Sequence, residues 1–148
     1  MPQLHYSIQI EQDPLTVHQI LVDKEAYNTW TYSFSPESDF IGDWSEGSHM
    51  MFTFVEPSQL KWGMVAVVDK NQPGEIIELR YLGYMENSSN EALPSWNSAL
   101  ETYRFLPISK GTKLSCTLQV ENNDECIAFF DKAWPAALQR LKDLCEQQ

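Results

Sequence analysis

Positive charge is what this chain has least of. Ten lysines and arginines stand against twenty-one aspartates and glutamates, for a net charge of −11. A surface of that sign repels phosphate backbones and anionic headgroups, so neither nucleic acid nor a membrane is an expected partner. Cysteine is sparse as well: Cys116, Cys126 and Cys145 are an odd set with no CxxC spacing. That argues against a disulfide framework or a zinc site, and for a reducing compartment. The histidines, His5, His18 and His49, sit on separate segments with no HxH or HExxH spacing. They are expected to be partly exposed, and neither a metal nor a cofactor is expected. Long apolar runs are missing; the longest, Met64 to Val68, is far too short to span a bilayer. The opening Met1-Pro2-Gln3-Leu4-His5 has no basic region and no apolar region of the signal-peptide kind, so a cytoplasmic protein is expected.

Bulky apolar surface is what the chain has in plenty. It is 148 residues long, a length that fits one domain over residues 1–148, and 12% of those residues are aromatic. The spacing of apolar residues sets the expected elements. His5 to Ile10 alternates as a strand. Asp13-Pro14 has the form of a helix start, an acidic N-cap followed by proline in the first turn, and the segment from Lys24 to Trp30 reads as a second short helix. Strand patterns then recur at short spacing: Asp39 to Trp44, His49 to Val55, Leu60 to Asp69, Glu75 to Tyr84, Ser98 to Leu106 and Thr112 to Val120. Pro57-Ser58, Asn71-Gln72-Pro73-Gly74 and Ser109-Lys110-Gly111 mark turns, and Asn87 to Pro94 reads as the one long loop. From Asn123-Asp124 onward, Ile127, Phe130, Trp134, Ala137, Leu138, Leu141 and Leu144 recur at helical steps, with Pro135 inside the pattern and a kink expected near Asp131 to Trp134. The expected fold is α+β: a curved antiparallel sheet of about seven strands packed on a long C-terminal helix, with two short helices after strand 1. Such a sheet and helix leave a tapering space between them.

Two stretches, Glu25-Ala26-Tyr27-Asn28-Thr29-Trp30 and Asp39-Phe40-Ile41-Gly42-Asp43-Trp44-Ser45-Glu46-Gly47, resemble the START/polyketide-cyclase-like (SRPBCC) superfamily. The ending Ala133-Trp134-Pro135-Ala136-Ala137-Leu138-Gln139-Arg140-Leu141-Lys142 is similar to the terminal helix of the branch named for activators of heat shock protein 90 ATPase. The resemblance implies a helix-grip fold, often with an apolar ligand cavity. Within the superfamily, roles range over lipid transfer, hormone sensing, cyclisation and co-chaperone work, so fold alone does not fix function.

The aromatic set carries the functional expectation. Trp30, Tyr32, Phe34, Phe52, Trp62, Tyr81, Trp96, Tyr103 and Trp134 come from nearly every element, and Met50 and Met64 add adaptable walls. These eleven residues are the candidate lining of a cavity for a small apolar or amphipathic molecule. A protein partner is the alternative, with Trp44, Tyr84 and Trp96 as candidate exposed contacts. A cyclase- or hydrolase-type enzyme is the third reading, using His49 at the cavity rim or a pocket carboxylate. Glu78, Arg80, Glu101 and Arg104 are expected to form cross-strand ion pairs on the wet face of the sheet. Cys116 is expected on the apolar face as an inert packing group.

Overall fold

The first strand alternates exposed and half-buried residues along its length, and it ends in the fully buried Ile10. The computed structural model describes residues 2–55, 61–86, 99–120, 122 and 124–147, and for residues 61, 62 and 84–86 the backbone alone. The elements run β1 (Gln3–Ile10), α1 (Pro14–Leu21), α2 (Lys24–Trp30), β2 (Asp39–Ile41), β3 (His49–Val55), β4 (Lys61–Gln72), β5 (Ile76–Glu86), β6 (Leu100–Ile108), β7 (Gly111–Gln119) and α3 (Asp124–Glu146). The strands form one antiparallel sheet in the order β1-β7-β6-β5-β4-β3-β2. This is the helix-grip α+β fold: a curled sheet closing around the long C-terminal helix, with two short helices after the first strand. The turns expected at Pro57-Ser58, the loop at Asn87 to Pro94 and the cap at Asn123 lie outside the described residues.

Both short helices begin on an aspartate. Asp13 accepts the Thr16 N–H at 3.0 Å, and Asp23 accepts the Ala26 N–H at 2.9 Å, so each satisfies a donor that the helix start leaves free. Val17 and Leu21 of α1, and Tyr27 and Trp30 of α2, point into the core. The Trp30 indole N–H donates to the Leu21 carbonyl at 3.1 Å and ties the two helices together.

The strand expected over Asp39 to Trp44 stops at Ile41. Gly42 (φ +129°) and Trp44 (φ +64°) leave the extended region, so pairing cannot continue. Trp44 is held in that strained conformation by its surroundings. Its N–H meets the Met50 sulfur at 3.3 Å, its carbonyl accepts from the Asn71 amide at 2.8 Å, and its ring packs edge-on to Phe40 and Phe52. At 4% exposure Trp44 is a core residue, which corrects its reading as an exposed contact for a protein partner.

The strand expected from Leu60 to Asp69 reaches Gln72. Its ladder with β5 shifts register between Val65 and Ala66 and again between Val68 and Lys70. Such bulges bend a sheet and raise its twist, which helps this one curl. At the β6–β7 turn, Gly111 adopts φ +137°, and a methyl group there would collide with the Ile10 carbonyl at the end of β1. Gly111→Ala should therefore lower stability by more than about 1 kcal/mol, read from the urea midpoint, because relief requires moving backbone in two strands. An unchanged midpoint would contradict this close approach.

Helix α3 runs unbroken from Asp124 to Glu146 with Pro135 inside it. Proline has no N–H, so the Asp131 carbonyl has no partner in the helix ladder. Beyond the proline, Ala137, Leu138, Leu141 and Cys145 are buried against the sheet and α1. Before it, Cys126, Phe129 and Phe130 face the open end of the space beneath the helix. Among the described residues no helix is long and apolar enough to cross a membrane.

Candidate functional site

The space between sheet and helix is a cavity of about 430 Å³. Side chains from α2, the segment after it, β3 to β7 and α3 line it. A volume of that order suits a small organic ligand.

Of the eleven candidate lining residues, Trp30, Phe34, Phe52, Met64, Tyr81, Tyr103 and Trp134 stand in the cavity wall. Trp134 is the hub of the helix side. Phe34 meets it edge-on at 4.9 Å, Tyr103 lies at 6.1 Å, Trp30 at 6.4 Å, and Tyr6 stacks parallel at 6.1 Å. Two candidates lie elsewhere. Tyr32 is 46% exposed and sits under the Arg140 guanidinium, 4.9 Å from its ring centre, a cation–π contact on the outside of the helix pair. Met50 is 1% exposed and packs around Gly42 and Trp44 in the core next to the cavity. The side chain of Trp62 and all of Trp96 lie outside the described residues, as does the side chain of Tyr84.

The group that sequence reasoning misplaced is Glu101. The charge pattern groups it with Glu78, Arg80 and Arg104 on the wet face, yet it lines the cavity. Arg80 instead pairs with Asp69, its Nε at 3.0 Å and Nη2 at 3.2 Å from the two carboxylate oxygens, on the outer side. The reason is the period of a strand: Glu101 shares parity with Tyr103 and Phe105, both buried, and not with the exposed Arg104. That signal was present in the sequence.

The Glu101 carboxylate accepts the Tyr103 hydroxyl at 2.8 Å and also the hydroxyl of Tyr81 on the neighbouring strand. Glu101 stands opposite Leu79, so Tyr81 is its diagonal neighbour, within reach of a long side chain. Loss of water around the carboxyl raises its pKa from 4.5 to about 7, against the two hydroxyl donors, which favour the charged form. It is intermediate in exposure and lines the cavity. Burial, reinforced by the nearby Glu101 charge, pushes the Tyr27, Tyr81 and Tyr103 hydroxyls well above their ordinary range, so they stay protonated donors. Chemically, this arrangement is an aromatic chamber with a carboxyl poised to exchange a proton near neutral pH.

The remaining titratable candidates stand away from this chamber. His49 is exposed on β3 and is not among the described lining residues, which removes it from the cavity rim. His5 is exposed and bonds the Thr117 hydroxyl at 3.0 Å. His18, expected to be partly exposed, is 4% exposed; it packs on Phe105 at 4.8 Å, and its Nδ1 accepts the Gly74 N–H at 3.2 Å. Burial lowers its pKa, so it is a neutral core histidine. Cys116 is fully buried and its thiol is pushed far up by burial. Among the described residues no cluster of histidine, cysteine or carboxylates could hold a metal ion.

The fold and chamber place this chain among helix-grip proteins, and solved structures agree. It superposes on the solution structure of the Aha1 dimer from Colwellia psychrerythraea with a TM-score of 0.73 and 20% identity, over 99% of this chain and 97% of that one. A protein of Nitrosomonas europaea matches with a TM-score of 0.76 at 15% identity, over 98% and 94% of the two chains. A protein of Chromobacterium violaceum matches with a TM-score of 0.73 at 18% identity, over 99% of each. At these identities the likeness establishes the shared fold. No protein-family model and no curated protein matches the sequence.

Proposed function

We propose that this chain is an SRPBCC-type binding module of the cytoplasm that holds a small apolar or amphipathic molecule in its cavity. The observation that carries this reading is the 430 Å³ chamber walled by aromatic rings and holding the Glu101 carboxyl among them. Rings with polar edges bury a ligand's apolar body while a few polar groups orient it. The test is titration with an environment-sensitive apolar fluorophore. Met64 stands in the wall on β4, so Met64→Trp should fill part of the space and weaken fluorophore binding by about tenfold or more, with the fold checked by circular dichroism. Equal affinity in both proteins would sink the cavity as the binding site.

A protein-interaction role of the co-chaperone kind is the second reading. The exposed Phe129, 47% accessible beside Phe34 at the cavity mouth, favours it, together with the resemblance to the heat shock protein 90 activator branch. Pull-down against that chaperone separates the two readings: enrichment abolished by Phe129→Ser would support the second, and no enrichment would count against it.

A further inference from the structure

The chamber is chemically one-sided. Its described lining holds one carboxyl, Glu101, and no arginine, lysine or histidine. An anionic headgroup placed beside Glu101 would meet a like charge with no countercharge in the described wall, and poor screening in such a site makes that costly. A fatty-acid-like ligand is therefore the wrong sign for this chamber.

The carboxylate also has capacity to spare. Ionised, it offers about four acceptor positions, and the Tyr81 and Tyr103 hydroxyls use two of them. The rest can take donors from a ligand. Tyr27, Tyr81 and Tyr103 lie close enough to feel its charge, and Phe52 lies 6.1 Å from Tyr27 and 6.3 Å from Tyr81. Ring faces attract cations, most strongly where water is excluded. The chain's net charge of −11 draws cations toward the protein and holds anions off.

We infer that the ligand is an amphipathic amine, its ammonium group paired with the Glu101 carboxylate inside the Tyr27, Phe52, Tyr81 and Tyr103 rings, and its apolar body lying along Phe34 and Met64. This rests on the reading of the cavity as a ligand site and adds the ligand's charge and headgroup. Other titratable groups facing Glu101 are Tyr27 on α2, Tyr81 on β5, Tyr103 on β6 and Cys116 on β7, none of them cationic. Below neutral pH the carboxyl holds a proton, so amine binding there releases that proton to solvent.

Three probes of nearly equal shape test it: phenylbutylamine, phenylbutanol and phenylbutanoate, titrated by calorimetry into the full chain. At about pH 8 the amine should bind about tenfold or more tighter than the carboxylate, with the alcohol between them. Glu101→Gln should collapse the amine's advantage over the alcohol, and acidification to about pH 5 should do the same in the unaltered chain. A carboxylate that binds as well as the amine, or an amine preference that survives Glu101→Gln, overturns the assignment and leaves the cavity reading standing. Failure of all three probes overturns it as well, and if the apolar fluorophore also fails to bind, the cavity reading falls with it.

Discussion

Trp30→Ala should cost about 3–5 kcal/mol of stability, the range for removing a large buried aromatic side chain. The indole is 1% exposed and contacts Tyr27 edge-on at 5.4 Å and Trp134 at 6.4 Å. Truncation opens a void between α2 and α3 and leaves the Leu21 carbonyl without its 3.1 Å donor, so two penalties act together. The upper half of the range is expected, since almost none of the ring is solvated. Equilibrium urea unfolding measures it, and a loss under about 1 kcal/mol would show that Trp30 is not the pin between the helices.

Glu101→Gln has the second large effect, and its direction is stabilising. In the unfolded chain Glu101 ionises near 4.5, and in the native chain near 7. Between those values the native state holds a proton that the unfolded state has released. Native stability therefore falls as pH rises through that window and levels off above it. The full shift corresponds to roughly 3 kcal/mol; the carboxyl is only partly buried by surface area, which discounts this to about 1–3 kcal/mol. Glutamine keeps the size and still offers a carbonyl to the tyrosine hydroxyls, without the charge. The variant should unfold at higher urea than the parent at about pH 8, with the gap closing toward about pH 4. A gap that is constant with pH would mean that Glu101 is solvated and ionises normally.

Particular residues show how much of this was written in the sequence. The element order followed from period and punctuation: Asp13-Pro14 caps the helix it begins, and Met50, Phe52 and Phe54 fall on one face of β3 as alternation requires. The end of β2 at Ile41 was not legible, because the left-handed turn at Trp44 is enforced by packing with Phe40, Met50 and Phe52, residues brought together only by the fold. Ser115 shares its place in the β7 alternation with the exposed Lys113 yet is 9% exposed, and Gln119 reaches the cavity wall, so alternation alone does not separate the two faces of β7. Tyr32 departed from the aromatic set because Arg140, over a hundred positions away, offers its ring a better partner outside. Glu101 was the most informative miss. Its parity with Tyr103 and Phe105 was visible, but charge outweighed register in assigning its face.

Pro135 divides α3 into halves with different neighbours. The later half is pinned by Leu138, Leu141 and Cys145, while the earlier half carries Phe129 and Phe130 over the chamber. The earlier half is tied at its end by the buried Trp134, the Tyr6–Asp131 bond at 2.7 Å and the Ser33 hydroxyl on the Ala133 carbonyl at 2.8 Å, and the ladder lacks one rung at Pro135, so opening should begin at the first turns of the helix. Amide protons from Ala128 to Phe130 should therefore exchange with solvent faster than those past Ala137, where the helix is buried on the sheet.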